Sequence, residues 1–315
     1  MSVGREMRLV VMLLACCAPL LAQDQPVTTL KIGTRIVAVN AVVLDANGQQ
    51  VRDLTKEDFE LKQDGKPIDI RYFSEESDLP LTLGLLVDTS GSQKTFLEDE
   101  IKASDLFFPA MLRRPTDRAL LVQFDTEVLL RQSMTPSANA LENSLRYLDM
   151  PRGPTMDATR NGTLLYDAIV KTSTAWLGRE PGRRAMVLLT DGVDTTSRAT
   201  LEQAVTAAQK ADVAVYSVQY SAVGEFGRST LNREWAQGLK VLQEISSATG
   251  GRVFMVTTTM KLRDIFEEIE RDMRLQYQIG YTPPESKPGE YHKIELKASG
   301  RKMTVHARKG YYTPE

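Results

Sequence analysis

From Leu81 onward the chain repeats one pattern, in which a short apolar run gives way to an amphipathic stretch and then to another apolar run. The runs are LTLGLLVD, ALLVQF, AMVLLTD, VAVYSVQY and RVFMV. Between most of them lie stretches such as FLEDEIKASDLFFPAML, LEQAVTAAQKA, GLKVLQEISSA and KLRDIFEEIERDM. Strands that are apolar throughout must be buried on both faces, and alternation with helices provides the cover. Gly250-Gly251 reads as a helix stop ahead of a strand at 252–256. The fold class that follows is α/β, a doubly wound and mostly parallel sheet.

The flanks read differently. Within residues 30–73, IVAVNAVVLDANGQQV alternates and turns at Asn47-Gly48, and DFELKQDGKPIDIRYF turns at Asp64-Gly65. After Met273 strand character returns in LQYQIGYTP, EYHKIELKAS and KMTVHARKGYY. Each flank is short for a domain of its own. The economical arrangement is one small β-sandwich built from both ends, with the α/β unit inserted between its strands; two independent β appendages are the alternative. The expected boundaries are 27–78 for the N-terminal β segment, 79–274 for the α/β domain and 275–315 for the C-terminal β segment.

The first residues have another character. MSVGREMR carries two arginines, LVVMLLACCAPLLA is apolar, and QDQP is polar again. This is the order of a secretory signal, and the apolar run is short for a membrane span. Cleavage after Ala22 gives residues 1–22 as signal peptide. A second reading takes Leu13-Leu14-Ala15-Cys16 as a lipobox with a lipid anchor on Cys16. Cys16 and Cys17 are the two cysteines of the sequence, so cleavage after Ala22 leaves a mature chain without disulfides or thiol chemistry. No later stretch is apolar for long enough to span a bilayer. The expected location is outside the cytoplasm: periplasmic, cell-surface or secreted. A net charge of −2 with 25% charged residues excludes a basic nucleic-acid binder.

The first apolar run ends in DTSGS. In an open α/β sheet ligands sit at the carboxyl ends of the strands, where this loop belongs. Spacing of two along an extended loop turns Asp88, Ser90 and Ser92 to one side, offering one carboxylate and two hydroxyls. Such hard oxygen donors suit Mg²⁺ or Ca²⁺. Taken alone the motif is weak, because Asp, Ser and Gly also make ordinary turns and Ser92 would serve as a helix cap. Two further segments strengthen it. AMVLLTDGVDTTS sets Asp191 at the end of another strand, and ATRNGTLLYDAIV sets Thr163 at the start of a helix behind Gly162.

LLVDTSGS, NGTLLYDAI and LLTDGVD, in that order, resemble the metal-ion-dependent adhesion site of von Willebrand factor A domains over roughly residues 81–273. The flanking DLTKEDFELKQDGKPIDI, YQIGYTP and HKIELKASGRKMTVHARKGYY resemble the secreted VWFA-related proteins of acidobacteria, so a bacterial source is implied. The resemblance implies a Rossmann-like A domain with Asp88, Ser90, Ser92, Thr163 and Asp191 as the coordinating set. Ser90, Ser92 and Thr163 would approach the ion directly, and Asp88 and Asp191 directly or through water. The ion is expected to be Mg²⁺, with Mn²⁺ or Ca²⁺ as alternatives. The implied partner is a protein that presents a carboxylate to the metal. Asp194 is a second-shell candidate, with a solvated loop aspartate as the plainer reading. Loops 150–162 and 221–235 would frame the site, the second carrying Phe226 and Trp235, although Trp235 is equally a cap on the core.

Catalysis is not expected. His292 and His306 are the two histidines, and both fall in the C-terminal β segment, His292 half-buried and His306 toward solvent. No phosphate loop of the GxxxxGK[ST] kind is present, and nothing supplies a general base for a metal-assisted hydrolase on Asp88 and Asp191. The expected function is divalent-cation-dependent protein binding of the adhesion type. The alternative is an assembly subunit in which the metal acts as a permanent staple.

Overall fold

The computed structural model describes residues 36–75, 79–93, 107–148, 162–219, 229–257, 259–300 and 302–314. The signal segment, the lipobox cysteine Cys16, Phe226 and most of loop 150–162 lie outside these residues. Fourteen strands are named here in chain order. The N-terminal ones are β1 (Val37–Leu44), β2 (Phe59–Gln63), β3 (Lys66–Pro67) and β4 (Tyr72–Ser74). The middle ones are β5 (Leu81–Asp88), β6 (Arg118–Phe124), β7 (Val128–Thr135), β8 (Arg183–Leu189), β9 (Val213–Gln219) and β10 (Val253–Met255). The C-terminal ones are β11 (Tyr277–Tyr281), β12 (Tyr291–Ala298), β13 (Thr304–Ala307) and β14 (Gly310–Tyr312).

Among the described residues the middle strands form one sheet in the order β10-β9-β8-β5-β6-β7. Its pairings are parallel except at β6 and β7, which run antiparallel. The run EVLLRQSMT behind this edge strand is too polar to read as a buried strand, and β7 is indeed only partly covered. By contrast β5 is buried at all eight positions. Its alternate side chains serve two cores, as a doubly covered strand must. Leu81, Leu83, Leu85 and Val87 pack with Ile265, Phe266, Ile269 and Met273 of helix α5 (Leu262–Arg274). On the other face Leu86 joins residues of helices α2 (Leu165–Lys171) and α3 (Leu201–Lys210). The spacing of the apolar positions in α5 is the three-and-four rhythm of a helix with one face inward. Helices α1 (Ala138–Arg146) and α4 (Ser229–Thr249) complete the layers. Among the described residues no helix is long and apolar enough to cross a membrane.

The end segments form two antiparallel sheets, β13-β1-β11-β4 and β14-β12-β2-β3. Each combines strands from both ends of the chain, as β1 pairs with β11 and β2 with β12. Val39, Ala41 and Ile279 of the first sheet share a core with Phe59, Leu61 and Ile294 of the second. Asp64 and Gly65 both take positive φ between β2 and β3, the two-residue hairpin turn expected of Asp-Gly.

The central sheet also places the site. From β5 the chain moves to β6 and β7 on one side, then crosses to β8, β9 and β10 on the other. The reversal lies beside β5, and the crevice at such a switch point, outside the strand ends, is where open α/β sheets hold ligands.

Candidate metal centre

Asp88 is the last residue of β5 and is fully buried. Val87 pairs with Leu189 across β5 and β8, which brings the next residues, Asp88 and Thr190, alongside one another. Thr190 Oγ1 donates to Asp88 Oδ2 at 2.6 Å, and the Ser90 amide donates to Asp88 Oδ1 at 2.9 Å. The Thr190 oxygen accepts in turn from the Gly192 amide at 3.2 Å. These donors are neutral. Burial first, and then the charge of Asp191, push the Asp88 carboxyl up to about 7 despite them.

Two carboxylates that repel one another at a buried strand end create a field that a divalent cation relieves. Among the described residues no cluster of three His, Cys, Asp or Glu side chains forms a metal site. A cation here would therefore take its remaining ligands from neutral oxygens. Ser90 and Thr163, at 7% and 6% exposure, stand in the loops flanking Asp88. An all-oxygen donor set of two carboxylates and hydroxyls fits Mg²⁺, Mn²⁺ or Ca²⁺ better than metals that favour imidazole or thiolate.

A ring of hydrogen bonds joins the three loops. Asp125, just beyond β6, accepts from Thr89 Oγ1 through its Oδ2 at 2.9 Å. Its main-chain carbonyl accepts from the Leu164 amide at 2.9 Å. The neighbouring Thr163 amide donates to Thr195 Oγ1 at 2.8 Å, and the Thr163 carbonyl accepts from the Thr195 amide at 3.1 Å. The bond from Thr190 to Asp88 closes the circuit. Asp194 belongs to the same framework. It accepts from the Tyr166 amide at 3.2 Å and from Ser197 Oγ at 2.5 Å, so it ties α2 to the Asp191 loop and is not a solvated aspartate.

Asp191 follows β8 by two residues, and its Oδ1 accepts from the Val193 amide at 3.0 Å. Its main-chain carbonyl accepts from Gln219 Nε2 at 2.9 Å, and the same nitrogen donates to the Trp235 carbonyl at 3.2 Å. Helix α4 presses directly on this loop. A β-carbon on Gly238 would lie 2.2 Å from the Asp191 oxygen, and Gly192 takes φ +83° in front of it. Thr190, Gln219 and Gly238 are the supporting residues that a reading of the sequence misses. Each acts across the fold, and only the pairing of β5 with β8 and the path of α4 reveal them.

Four local expectations are corrected. The DTSGS loop is not extended: Gly91–Gln93 form a 3-10 turn with the Gln93 amide donating to the Ser90 carbonyl at 3.0 Å. Small polar residues close such turns readily, so the extended geometry assumed for a spacing of two does not apply here. The Ser92 backbone is in this turn, and its side chain, like Phe226, is outside the described residues. Trp235 is not in a loop but in α4, because STLNREWAQG contains neither proline nor an early glycine to stop a helix. His306 is half-buried in β13, where burial and the charge of Arg252 push it down to about 4. His292 is buried, with Nδ1 2.8 Å from Asp64 Oδ2.

The model of the von Willebrand factor type A domain matches residues 83–268. The chain belongs to that family. Domains of the von Willebrand factor A family commonly serve as metal-dependent protein-interaction modules. Solved structures similar to this von Willebrand factor A chain include an aerotolerance-related membrane protein from Bacteroides fragilis, at 16% identity and TM-score 0.45, covering 61% of this chain and 98% of that one. The von Willebrand domain of the type V pili tip protein Mfa5 from Porphyromonas gingivalis is 13% identical, with TM-score 0.46 and coverage of 62% and 95%. Proximal thread matrix protein 1 from the mussel byssus, with a zinc-occupied MIDAS motif, is 12% identical, with TM-score 0.49 and coverage of 68% and 50%. No curated protein matches the chain.

Proposed function

We propose that this chain is an exported, non-enzymatic binding module. Asp88, Ser90, Ser92, Thr163 and Asp191 hold a divalent cation and present it to a carboxylate of a protein partner. The observation that supports this most strongly is the repulsion between buried Asp88 and Asp191 at the switch point of the sheet. When bound, the ion would supply an electrophilic position for a partner's acidic group. Two protein carboxylates only balance its charge, and neutral hydroxyls leave it electrophilic enough to take a third. The ring through Asp125, Thr195 and Thr190 keeps the three loops in register before a partner arrives. The two histidines lie in the sandwich strands β12 and β13, which favours binding over hydrolysis. Export rests on the charged, apolar and small-residue order of residues 1–22, and the sandwich of 27–78 with 275–315 is read as the platform of the A domain.

The test is binding of the immobilised chain to a panel of peptides that differ in a single Asp or Glu. Binding is expected in Mg²⁺ or Mn²⁺, only for peptides that keep the carboxylate, and not with Asp191→Ala. Equal binding after removal of divalent ions, or by Asp191→Ala, would refute the reading. A permanent staple would instead leave every peptide unbound while removal of the metal melts the fold.

A further inference from the structure

At the opposite end of the central sheet, where β8 and β9 begin, lies a cavity of about 130 Å³. Its walls come from the starts of these strands, from the residues after α5 and from β1 and β11 of the sandwich. Its polar lining includes Arg183, Arg184, Arg308 and Asp212, together with uncharged groups such as Tyr216 and Asn40, whose Oδ1 is buried without a partner. Arg183 opens β8 with only 7% of its surface exposed, and its Nε and Nη1 are buried without a hydrogen-bond partner. The neighbouring carboxylates are engaged elsewhere. Asp117 accepts from Arg274 at 2.6 Å, and Asp212 pairs with Arg308 at 2.8 Å and Arg184 at 3.5 Å. Arg184 and Arg308 also each leave a buried Nε without a partner.

The lining thus sets three guanidinium groups against the single carboxylate of Asp212. The nearest counter-charge to Arg183 is Asp117, which Arg274 already holds, so the buried charge is only partly compensated, and water would satisfy its N–H groups but not its charge. The volume is several times the ~10–15 Å³ that one water needs by the same measure, so a larger group fits. A guanidinium fork matches two oxygens of one oxyanion, in short, charge-assisted hydrogen bonds. Asp212 is the one carboxylate of the lining, and with its side chain 51% exposed, water screens it better than it screens the buried Arg183. We propose that this cavity binds a small oxyanion, a carboxylate or phosphate group, with Arg183 as its principal ligand. Burial, and then the like charges of Arg274 and Arg114, outweigh the support of Tyr216 and Asp117 and hold the Arg183 guanidinium below its ordinary value, and an anion beside it would offset this.

The test titrates inorganic phosphate and acetate into the metal-free chain at constant ionic strength, with chloride as the reference, by calorimetry and thermal shift. At least one of the two is expected to bind saturably and raise the melting temperature where chloride does not; which of them does separates a tetrahedral from a planar ligand. Arg183→Met should weaken that binding about tenfold or more. Without an oxyanion the same variant should melt no lower than the natural chain, because a buried charge that is only partly compensated has been removed. If Arg183→Met does not fold, Arg183→Lys decides, since it keeps the charge but loses the fork and should bind measurably more weakly. The response should survive in Asp191→Ala, which assigns it to this cavity and not to the metal centre. Phosphate and acetate indistinguishable from chloride, or an undiminished response in Arg183→Met or Arg183→Lys, would overturn the proposal.

Discussion

Stripped of divalent cations, the chain is expected to lose stability as pH rises from about 4 to about 7, and Mg²⁺ is expected to restore it. The sign follows from Asp88. Its carboxyl titrates at about 7 in the folded chain and near ~3.9 when unfolded. Between these values the folded state holds a proton that the unfolded state has released, so stability falls with rising pH across that window and is level on either side. A gap of about three units corresponds to roughly 4 kcal/mol. For a chain of this size that is a drop in melting temperature on the order of 10 °C. Asp88→Asn removes the titrating group and should flatten the profile. The cation competes with the same proton, so Mg²⁺ affinity should rise about tenfold per pH unit up to neutrality and then level off. Melting curves of the natural chain and Asp88→Asn, with and without Mg²⁺, measure all of this. Matching slopes in the two metal-free proteins would contradict it.

The second large effect falls on a residue outside the motif. Gly238→Ala is expected to lower stability by about 3 kcal/mol, the upper end for overpacking, and to weaken Mg²⁺ binding with it. The reason is backbone against backbone, since the new β-carbon would lie 2.2 Å from the Asp191 carbonyl oxygen. Neither helix α4 nor the Asp191 loop can yield by turning a side chain. Gly91→Ala is the control. Gly91 lies inside DTSGS, yet a β-carbon there meets nothing within 4 Å, so stability should change by no more than about 0.5 kcal/mol. Denaturant unfolding of both variants decides it. A larger loss for Gly91→Ala than for Gly238→Ala would mean that the motif, and not the packing of α4, sets the loop.

These two glycines mark the limit of what the sequence discloses. The apolar run of β5 announces a strand buried on both faces, and Asp88 at its end announces an exit toward a ligand. Both follow from local chemistry, and the structure bears out the doubly covered parallel sheet and the sandwich built from both chain ends. Thr190 is different, because its role depends on β8 lying next to β5, 102 residues away in the chain. Gln219 and Gly238 likewise matter only through the packing of α4 on the Asp191 loop. Trp235 shows the converse error. A long polar stretch with Gly224 and Gly227 reads as loop, but the second half of it continues into a helix whose one interior glycine serves a close contact. Asp194 deceives in the same way, since a carboxylate in a loop looks solvated until the Tyr166 amide of helix α2 is seen to point at it.

The central claim is that Asp88, Asp191 and the hydroxyls between them form a cation site. Its most direct test is a calorimetric titration of Mg²⁺ and Mn²⁺ into the metal-free chain, beside Asp191→Ala. The expected result is saturable binding of one ion per chain that is lost in the variant, whose unfolding without metal remains cooperative. No saturable binding by the natural chain, or equal binding by Asp191→Ala, would contradict it and leave these loops as architecture alone.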